Sequence, residues 1–422
     1  MDTTTTDAVN RVAPAAQESE RARNGPGGRL PIGVYLLGFS LFAMGSAEFL
    51  LAGVLPAVAT DLDTTLSAAG MLITAFALGV VLGGPPFAVL SLRWPRRTAL
   101  VVTQAVFALS IVVGLFGDYR VLLVTRVISG IAYAGFFAVA SVTAIGLVTP
   151  DRNARASGVV VSGLSVAMVA GGPAGTLLSH FTDWRGGFWA VVALTAAGMI
   201  GCRLGLPAAE PAAEPAAERA ARPSVSRELA TMRKPLLWGV YAITILTTAG
   251  YMITFNFLAA MLADNTGLGE VWIPAVLALF GIGAFAGLSV GGRISDRRPH
   301  FALITGAVAI VILSVVLVFA IESAWAAVPV VFLLGIAAFV LNPAIYGRVF
   351  ALAGDAPMLA GATTVSAFQL GISITPVLAA VALTRDAALT SVCLIGAVLA
   401  AAAVPFMLVD RARRAPAVVA AE

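Results

Sequence analysis

Charge is what this sequence lacks most. Of its 422 residues, 11% are charged and 59% are hydrophobic, whereas an ordinary soluble domain carries about 25% charged residues. Too few polar side chains remain to coat a water-soluble globule of this length. The composition predicts an all-α protein that crosses the membrane many times. Cysteine is also scarce. Cys202 and Cys393 sit in separate apolar runs, with neither metal-ligand spacing nor a disulfide pattern. The two histidines, His180 and His300, stand alone in sequence, with no metal-ligand or catalytic partner at useful spacing. No phosphate-cradling loop of the Walker type is present, and no Ser/His/Asp constellation is evident. These absences disfavour an ATPase and a membrane enzyme, and no cofactor is expected. Of 26 basic residues only Lys234 is a lysine. They are scattered between apolar runs, so the net charge of +4 does not point to nucleic acid. The arginine and alanine bias fits a GC-rich bacterial genome.

What is abundant is long apolar sequence. A spanning helix needs about 20 mostly apolar residues. Runs between polar or Gly/Pro breaks give spans near 32–59, 67–91, 98–116, 120–147, 156–180, 187–206, 236–262, 271–291, 300–320, 325–350, 358–382 and 388–409. With the N-terminus placed in the cytoplasm, nearly all basic residues fall in cytoplasmic tails and loops. Arg120, Arg185 and Arg385 fall outside, and Arg126 falls within a helix. That asymmetry satisfies the positive-inside rule and predicts both termini inside. Residues 1–30 are polar and lack the apolar core of a signal peptide, so they are expected to form a disordered cytoplasmic tail. Residues 207–235 repeat Pro-Ala-Ala-Glu and then turn basic, the composition of a linker. It separates two apolar stretches of similar length, 31–206 and 236–410, before a tail at 411–422. Two halves of six spans suggest a duplication. Transporters built from such repeats hold their substrate near the midplane, between the halves.

Within "FAMGSAEFLLAG", residues 42–53, Glu48 is the one acid placed deep in a predicted span. Burial in an apolar medium favours the neutral form of a carboxyl, so such a group can take up and release a proton. Ionisable residues inside a membrane are commonly functional. The alternative is a protonated carboxyl serving as a structural tie to another helix. Met44, Gly45, Leu51 and Ala52 are its helical neighbours, small or soft enough to leave room for a ligand. Arg126 is the matching basic anomaly. Its insertion costs about 2.5–3.5 kcal/mol, unless it snorkels to the outer interface near Arg120. Tyr133 and Phe137 follow on the same helical face, either as an aromatic wall or as plain packing.

Several short motifs then align with a known family. "GRISDRRP" carries Gly292, Asp296 and Arg297 in a Gly-x-x-x-Asp-Arg loop after the eighth span. "LSLRWPRRTAL" occupies the same place after the second, keeping Arg93, Arg96 and Arg97 but with Ala88 and Leu92 where Gly and Asp belong. "RVISGIAYAG" opens the fourth span with Arg126 and Gly130 in an Arg-x-x-x-Gly pattern. "VAGGPAGT" places Gly172, Pro173 and Gly175 in the fifth, with Met168 and Thr176 where glycine is frequent. "DWRGGFW" follows at 183–189. Over residues 31–410 the sequence resembles the major facilitator superfamily, in particular its twelve-helix drug:proton antiporters. "AGVLPAVATDL", "WPRR", "GLGEVWI" and "LFGIGAFAG" add a likeness to actinobacterial chloramphenicol exporters.

The resemblance implies two pseudo-symmetric six-helix bundles. It implies a cytoplasmic latch at Gly292, Asp296 and Arg297, degenerate in the first half, where the arginines could equally only set topology. It also implies a rocking element at Gly172, Pro173 and Gly175, and proton coupling through Glu48 and Arg126. Cavity-lining candidates are Glu48, Met44, Tyr133, Phe137, Tyr251, Phe255, Asn256, Asn342 and Tyr346, with Gln369 as a further one. "NFL" at 256–258 sits roughly where "EFL" sits at 48–50, so Asn256 is read as the uncharged counterpart of Glu48. Such a cavity suits a neutral or weakly cationic amphiphile, for which chloramphenicol or a related phenicol is the expectation. The protein is expected to be a monomer in the bacterial inner membrane, driven by the proton gradient. Export of an endogenous sugar, nucleoside or other metabolite is the alternative transport reading. A non-transporting receptor or scaffold is the alternative of another class.

Overall fold

The computed structural model describes residues 30–90, 94–149, 152–207, 230–354, 357–385 and 387–419. The tail at 1–29, most of the linker and Arg93 lie outside the described residues. Among the described residues, twelve helices are long and apolar enough to span a membrane: α1 Ile32–Asp61, α2 Leu66–Gly84, α3 Arg96–Phe116, α4 Tyr119–Gly146, α5 Arg155–Phe181, α6 Trp184–Gly205, α7 Pro235–Asn265, α8 Ile273–Arg297, α9 Pro299–Ala320, α10 Ala324–Ala353, α11 Leu359–Leu383 and α12 Ser391–Ala412. In lipid every backbone group must be satisfied within the segment, which leaves the helix as the form such runs can take. Where charge and proline fall sets the ends. Asp118 and Asp183 accept hydrogen bonds from Val121 N and Gly186 N at 2.9 and 3.0 Å, capping α4 and α6. That cap starts α6 three residues earlier than the apolar run suggests. Pro235, Pro274 and Pro299 stand in first turns, where a missing N–H costs nothing. One boundary moves a motif. α8 continues to Arg297 because nothing breaks it before Pro299. Gly292, Asp296 and Arg297 therefore occupy its last turns, not a loop.

The helix pairs repeat between the halves. α2 packs on α4, α3 on α4 and α6, and α1 on α5 and α6. In the second half α8 packs on α10, α9 on α10 and α12, and α7 on α11 and α12. One close seam is built twice from glycine. A methyl group at Gly130 would stand 2.1 Å from the Phe76 carbonyl oxygen, and one at Gly79 2.3 Å from that of Val127. In the second half Gly283 and Gly335 make the same approaches to the Phe332 and Phe280 carbonyls, at 2.3 and 2.2 Å. Small residues here let two backbones touch.

α5 is interrupted by a π-turn at Ala167–Gly171, just before Pro173. Proline cannot donate into the ladder and crowds the preceding turn, and a π-turn is one way to absorb that. The turn also changes which way the helix faces. At about 100° per residue, an unbroken helix would point Gly163 and Gly172 to opposite sides. Here both press on α1: Gly163 against the Gly38 carbonyl, Gly172 against Phe49 and Gly175 against Leu50.

We call the face where α1 begins the near face, and the opposite one the far face. The bundles meet through the far halves of their helices. Thr74 Oγ1 on α2 donates to the Ser373 carbonyl on α11 at 2.8 Å. Phe49 on α1 meets Phe255 on α7 edge-on, with centroids 6.3 Å apart. Gly70 lies against Phe257 and Pro376, and Gly281 on α8 lies against Met168 and Val169 in the π-turn of α5.

Candidate functional site

Glu48 lies midway along α1, at the junction of the bundles, and is 9% exposed. Its carboxyl is within electrostatic reach of the Arg126 guanidinium on α4 and faces the Gln369 amide of α11, from the other bundle. The phenols of Tyr133 on α4 and Tyr251 on α7 also lie within reach of it, and Tyr346 on α10 within reach of Tyr251. Helices from both halves thus converge on one carboxyl. The segment carrying it is fixed from behind, because Gly171, Gly172 and Gly175 seat α5 on Ser46, Phe49 and Leu50.

Arg126 does not snorkel. It is 4% exposed. Its Nε donates to the Leu72 carbonyl at 3.4 Å, and its guanidinium carbon stands 4.6 Å from the Phe76 ring centroid. The cation–π contact offsets part of its desolvation. Phe76 in turn packs on Tyr133, with centroids 5.6 Å apart. The Arg-x-x-x-Gly pattern therefore has a division of labour. Gly130 brings α4 onto α2, and that close approach sets Arg126 over a ring of α2.

The remaining candidates divide. Tyr346 is half-buried and stacks between Phe350 and Phe368, at 6.2 and 5.7 Å. These rings and half-buried Phe137 lie nearer the near face than Glu48, as does Asn342, half-buried one turn before Tyr346. Met44 is fully buried one turn below Glu48. Phe255 belongs to the far-half contact, packed on Phe49 and on Phe280 at 4.7 Å. Asn256 is committed to its own bundle, donating from Nδ2 to Thr375 Oγ1 at 2.9 Å.

Among the loop-motif residues, Asp296 and Arg297 are exposed, and a methyl at Gly292 would meet nothing within 4 Å. The close approach to α10 is made by the adjacent Gly291, against the Val340 carbonyl. Arg97 donates to the Arg203 carbonyl at the end of α6, and Arg96 lies against Gly146 at the end of α4.

Sequence spacing missed one cluster. Arg348 of α10 holds Asp410 of α12 with two bonds of 2.8 Å, and His300 Nε2 lies 3.1 Å from the same carboxylate. His300, solitary in sequence, thus has a partner, and Asp410 is a second buried acid, 4% exposed. The three residues tie the near ends of α9, α10 and α12. At the far face, Asp61 similarly accepts from Trp184 Nε1 at 3.0 Å and pairs with Arg185 at 2.9 Å, joining α1 to α6.

Twelve spans in two repeated bundles, with a buried carboxyl where the bundles meet, define a membrane transporter and not an enzyme. The comparisons give the family. The Major Facilitator Superfamily model matches residues 37–376, and the chain belongs to that family. It is 37% identical to a chloramphenicol resistance protein of Streptomyces lividans over 84% of this chain and 90% of that one. It is 29% identical to the inner membrane transport protein YdhP of Escherichia coli strain K12 over 79% and 84%. Among solved structures, a point mutant of the nucleoside transporter NupG superposes with a TM-score of 0.70 at 13% identity, covering 90% of this chain and 99% of that one. A bacterial homolog of the human lysosomal transporter Spinster, inward-facing and unoccupied, gives 0.65 at 20% identity, covering 91% and 96%. The chain is a multi-pass protein of the bacterial inner membrane that moves a small molecule.

Proposed function

We propose that this transporter exports a small amphiphilic drug of the phenicol type in exchange for protons, as a monomer and without a cofactor. The observation that carries the reading is the position of Glu48. It is the buried carboxyl at the junction, with Arg126 of its own bundle on one side and Gln369 of the other bundle facing it. A carboxylate there attracts Arg126, while a neutral carboxyl does not, so protonation changes what crosses the junction. A proton or a drug drives conversion only by binding the two conformations differently, and Glu48 is placed to do this. The rings of Tyr346, Phe350 and Phe368 offer flat apolar surface on the near side of it. They suit an aromatic, weakly polar solute better than a multiply charged one. The similarity to a chloramphenicol resistance protein supports the same substrate class. With basic residues setting the near face in the cytoplasm, the far-half contacts close this conformation on its outer side.

The test is Glu48→Gln in proteoliposomes. Chloramphenicol export driven by an imposed pH gradient is expected to vanish, although the variant inserts normally. Export at the normal proton-driven rate would refute the assignment. A resistance profile with and without a protonophore, in a susceptible host, tests the substrate class separately. Unchanged resistance to phenicols on expression would direct attention to an endogenous metabolite.

A further inference from the structure

Two side chains answer the Glu48 carboxyl from different bundles, and their chemistry differs. Arg126 of α4 is charged and offers donors alone, so it favours a carboxylate. Gln369 of α11 is neutral and carries both N–H donors and an acceptor oxygen on one amide. That amide is within hydrogen-bonding reach of the Glu48 carboxyl and the residue is 7% exposed. Its Oε1 is buried without a hydrogen-bond partner. An acceptor left so is costly, and the carboxyl that the amide already faces can supply the hydrogen once it is protonated. A carboxylate only accepts. It takes an N–H from the amide and leaves Oε1 unmatched. A protonated carboxyl has one O–H and one carbonyl oxygen, so it can donate to Oε1 and accept from Nε2 together. The amide reaches that arrangement by turning about its terminal torsion, which is soft. The backbone that delivers it is held on two sides. A methyl at Gly371 would stand 2.8 Å from the Ile245 carbonyl oxygen of α7. One turn beyond Gln369, the Ser373 carbonyl accepts from Thr74 of α2 at 2.8 Å.

We infer that Glu48 and Gln369 form a proton-operated clasp between the bundles. Protonated, Glu48 donates its O–H to Gln369 Oε1 and accepts from Nε2. Ionised, it is held by Arg126 of its own bundle. The proton comes from water on the open side and returns to it. Opening the far halves breaks the Thr74–Ser373 contact and draws Gln369, one turn away, from Glu48. Protonation therefore favours the conformation closed on its outer side, and loss of the proton releases it. That is the sign exchange requires. The proton-loaded carrier turns inward, and the drug-loaded carrier with Glu48 ionised is free to open outward. Among the described residues, the charged or titratable groups facing Glu48 are Arg126 and Tyr133 of α4 and Tyr251 of α7. None of these belongs to α11, so the amide alone answers the proton from that helix. The clasp rests on the proposed proton coupling through Glu48 and names the partner that reads the proton.

The experiment is pH-difference infrared spectroscopy of the full chain in lipid. A carboxyl C=O band absent from Glu48→Gln belongs to Glu48. A carboxyl that donates and accepts together absorbs at lower wavenumber than a free one. In Gln369→Leu the band is expected at higher wavenumber than in the parent, and unbranched Gln369→Met serves if the leucine variant does not insert. An unshifted band in a folded variant would overturn the clasp. No Glu48 band at any pH is a different result, and it would overturn the proposed coupling together with the clasp. Populations are read by double electron–electron resonance between labels at Asp63→Cys and Glu322→Cys, both exposed at the far face. Acidification is expected to raise the ratio of short to long distances in the parent. In Gln369→Leu that rise should be roughly 2- to 12-fold smaller, the worth of one hydrogen bond. The same pH response in parent and variant would overturn the clasp.

Discussion

A methyl group at position 281 should unbalance the transporter without unfolding it. An alanine Cβ there would stand 2.7 Å from the Val169 Cα and 3.0 Å from the Met168 carbonyl oxygen, against 3.4–4 Å for ordinary contact. The nearest atoms are backbone, so α5 and α8 must separate by about 0.7 Å at that point. Overpacking of this kind costs about 1–3 kcal/mol. The contact crosses between bundles, so the cost falls on conformations whose far halves are closed. At about 1.4 kcal/mol per factor of ten, Gly281→Ala should shift the equilibrium toward the far-open state by roughly 5- to 150-fold. Spin labels at Asp63→Cys and Glu322→Cys, both exposed at the far face, would report it by double electron–electron resonance. Cys202 and Cys393 are buried and should stay unlabelled. The longer distance is expected to gain population. Gly287→Ala is the control. Its methyl would meet the Ile336 carbonyl at 2.4 Å, but within one bundle, so it should lower thermal stability and leave the distances alone. A folded Gly281→Ala protein with the parent's distance distribution would refute the argument.

Three further outcomes follow from named contacts. Gly130→Ala, which pushes a methyl onto the Phe76 carbonyl, should cost about 1–3 kcal/mol, seen as a lower melting temperature in detergent. Asp410→Asn leaves the half-buried Arg348 beside a neutral amide. It should cost about 3–5 kcal/mol, measured in the same way, and leave the pH profile of export unchanged. Gln369→Leu removes the group that the C-terminal bundle turns toward Glu48. pH-driven export should fall while drug counterflow persists, and an unchanged pH-driven rate would remove Gln369 from the coupling.

Much of the fold could be read from apolar runs, because lipid leaves a long apolar segment few structural choices. Glu48 and Arg126 were legible for the same reason: a charge in such a run is an anomaly by position alone. The Asp410, Arg348 and His300 cluster was not. Its members sit near helix ends, where charge is unremarkable, and only tertiary packing brings α9, α10 and α12 together. Gln369 was visible only as a further candidate, since a single amide gives no periodic signal. Asn256 shows the reverse limit. It was read as a cavity residue, and its commitment to Thr375 depends on a neighbour on another helix. The motif expected in a loop after the eighth span lies instead in the last turns of α8, since neither Gly nor Asp need end a helix.

The π-turn of α5 has a consequence for how this chain can change over time. It is equivalent to one residue more than a regular helix of the same rise would use. Deleting any one of residues 167–171 would restore an ordinary α-helix, locally more regular than the parent. It would leave the two ends of α5 in phase, because eight regular steps of about 100° keep Gly163 and Gly172 within about 80° of each other, both toward α1. The extra residue is therefore dispensable for the facing of the helix, and what a single-codon deletion there removes is the bulge itself. Straightening α5 without shortening it is the change that would carry Gly172 and Gly175 off the back of Glu48.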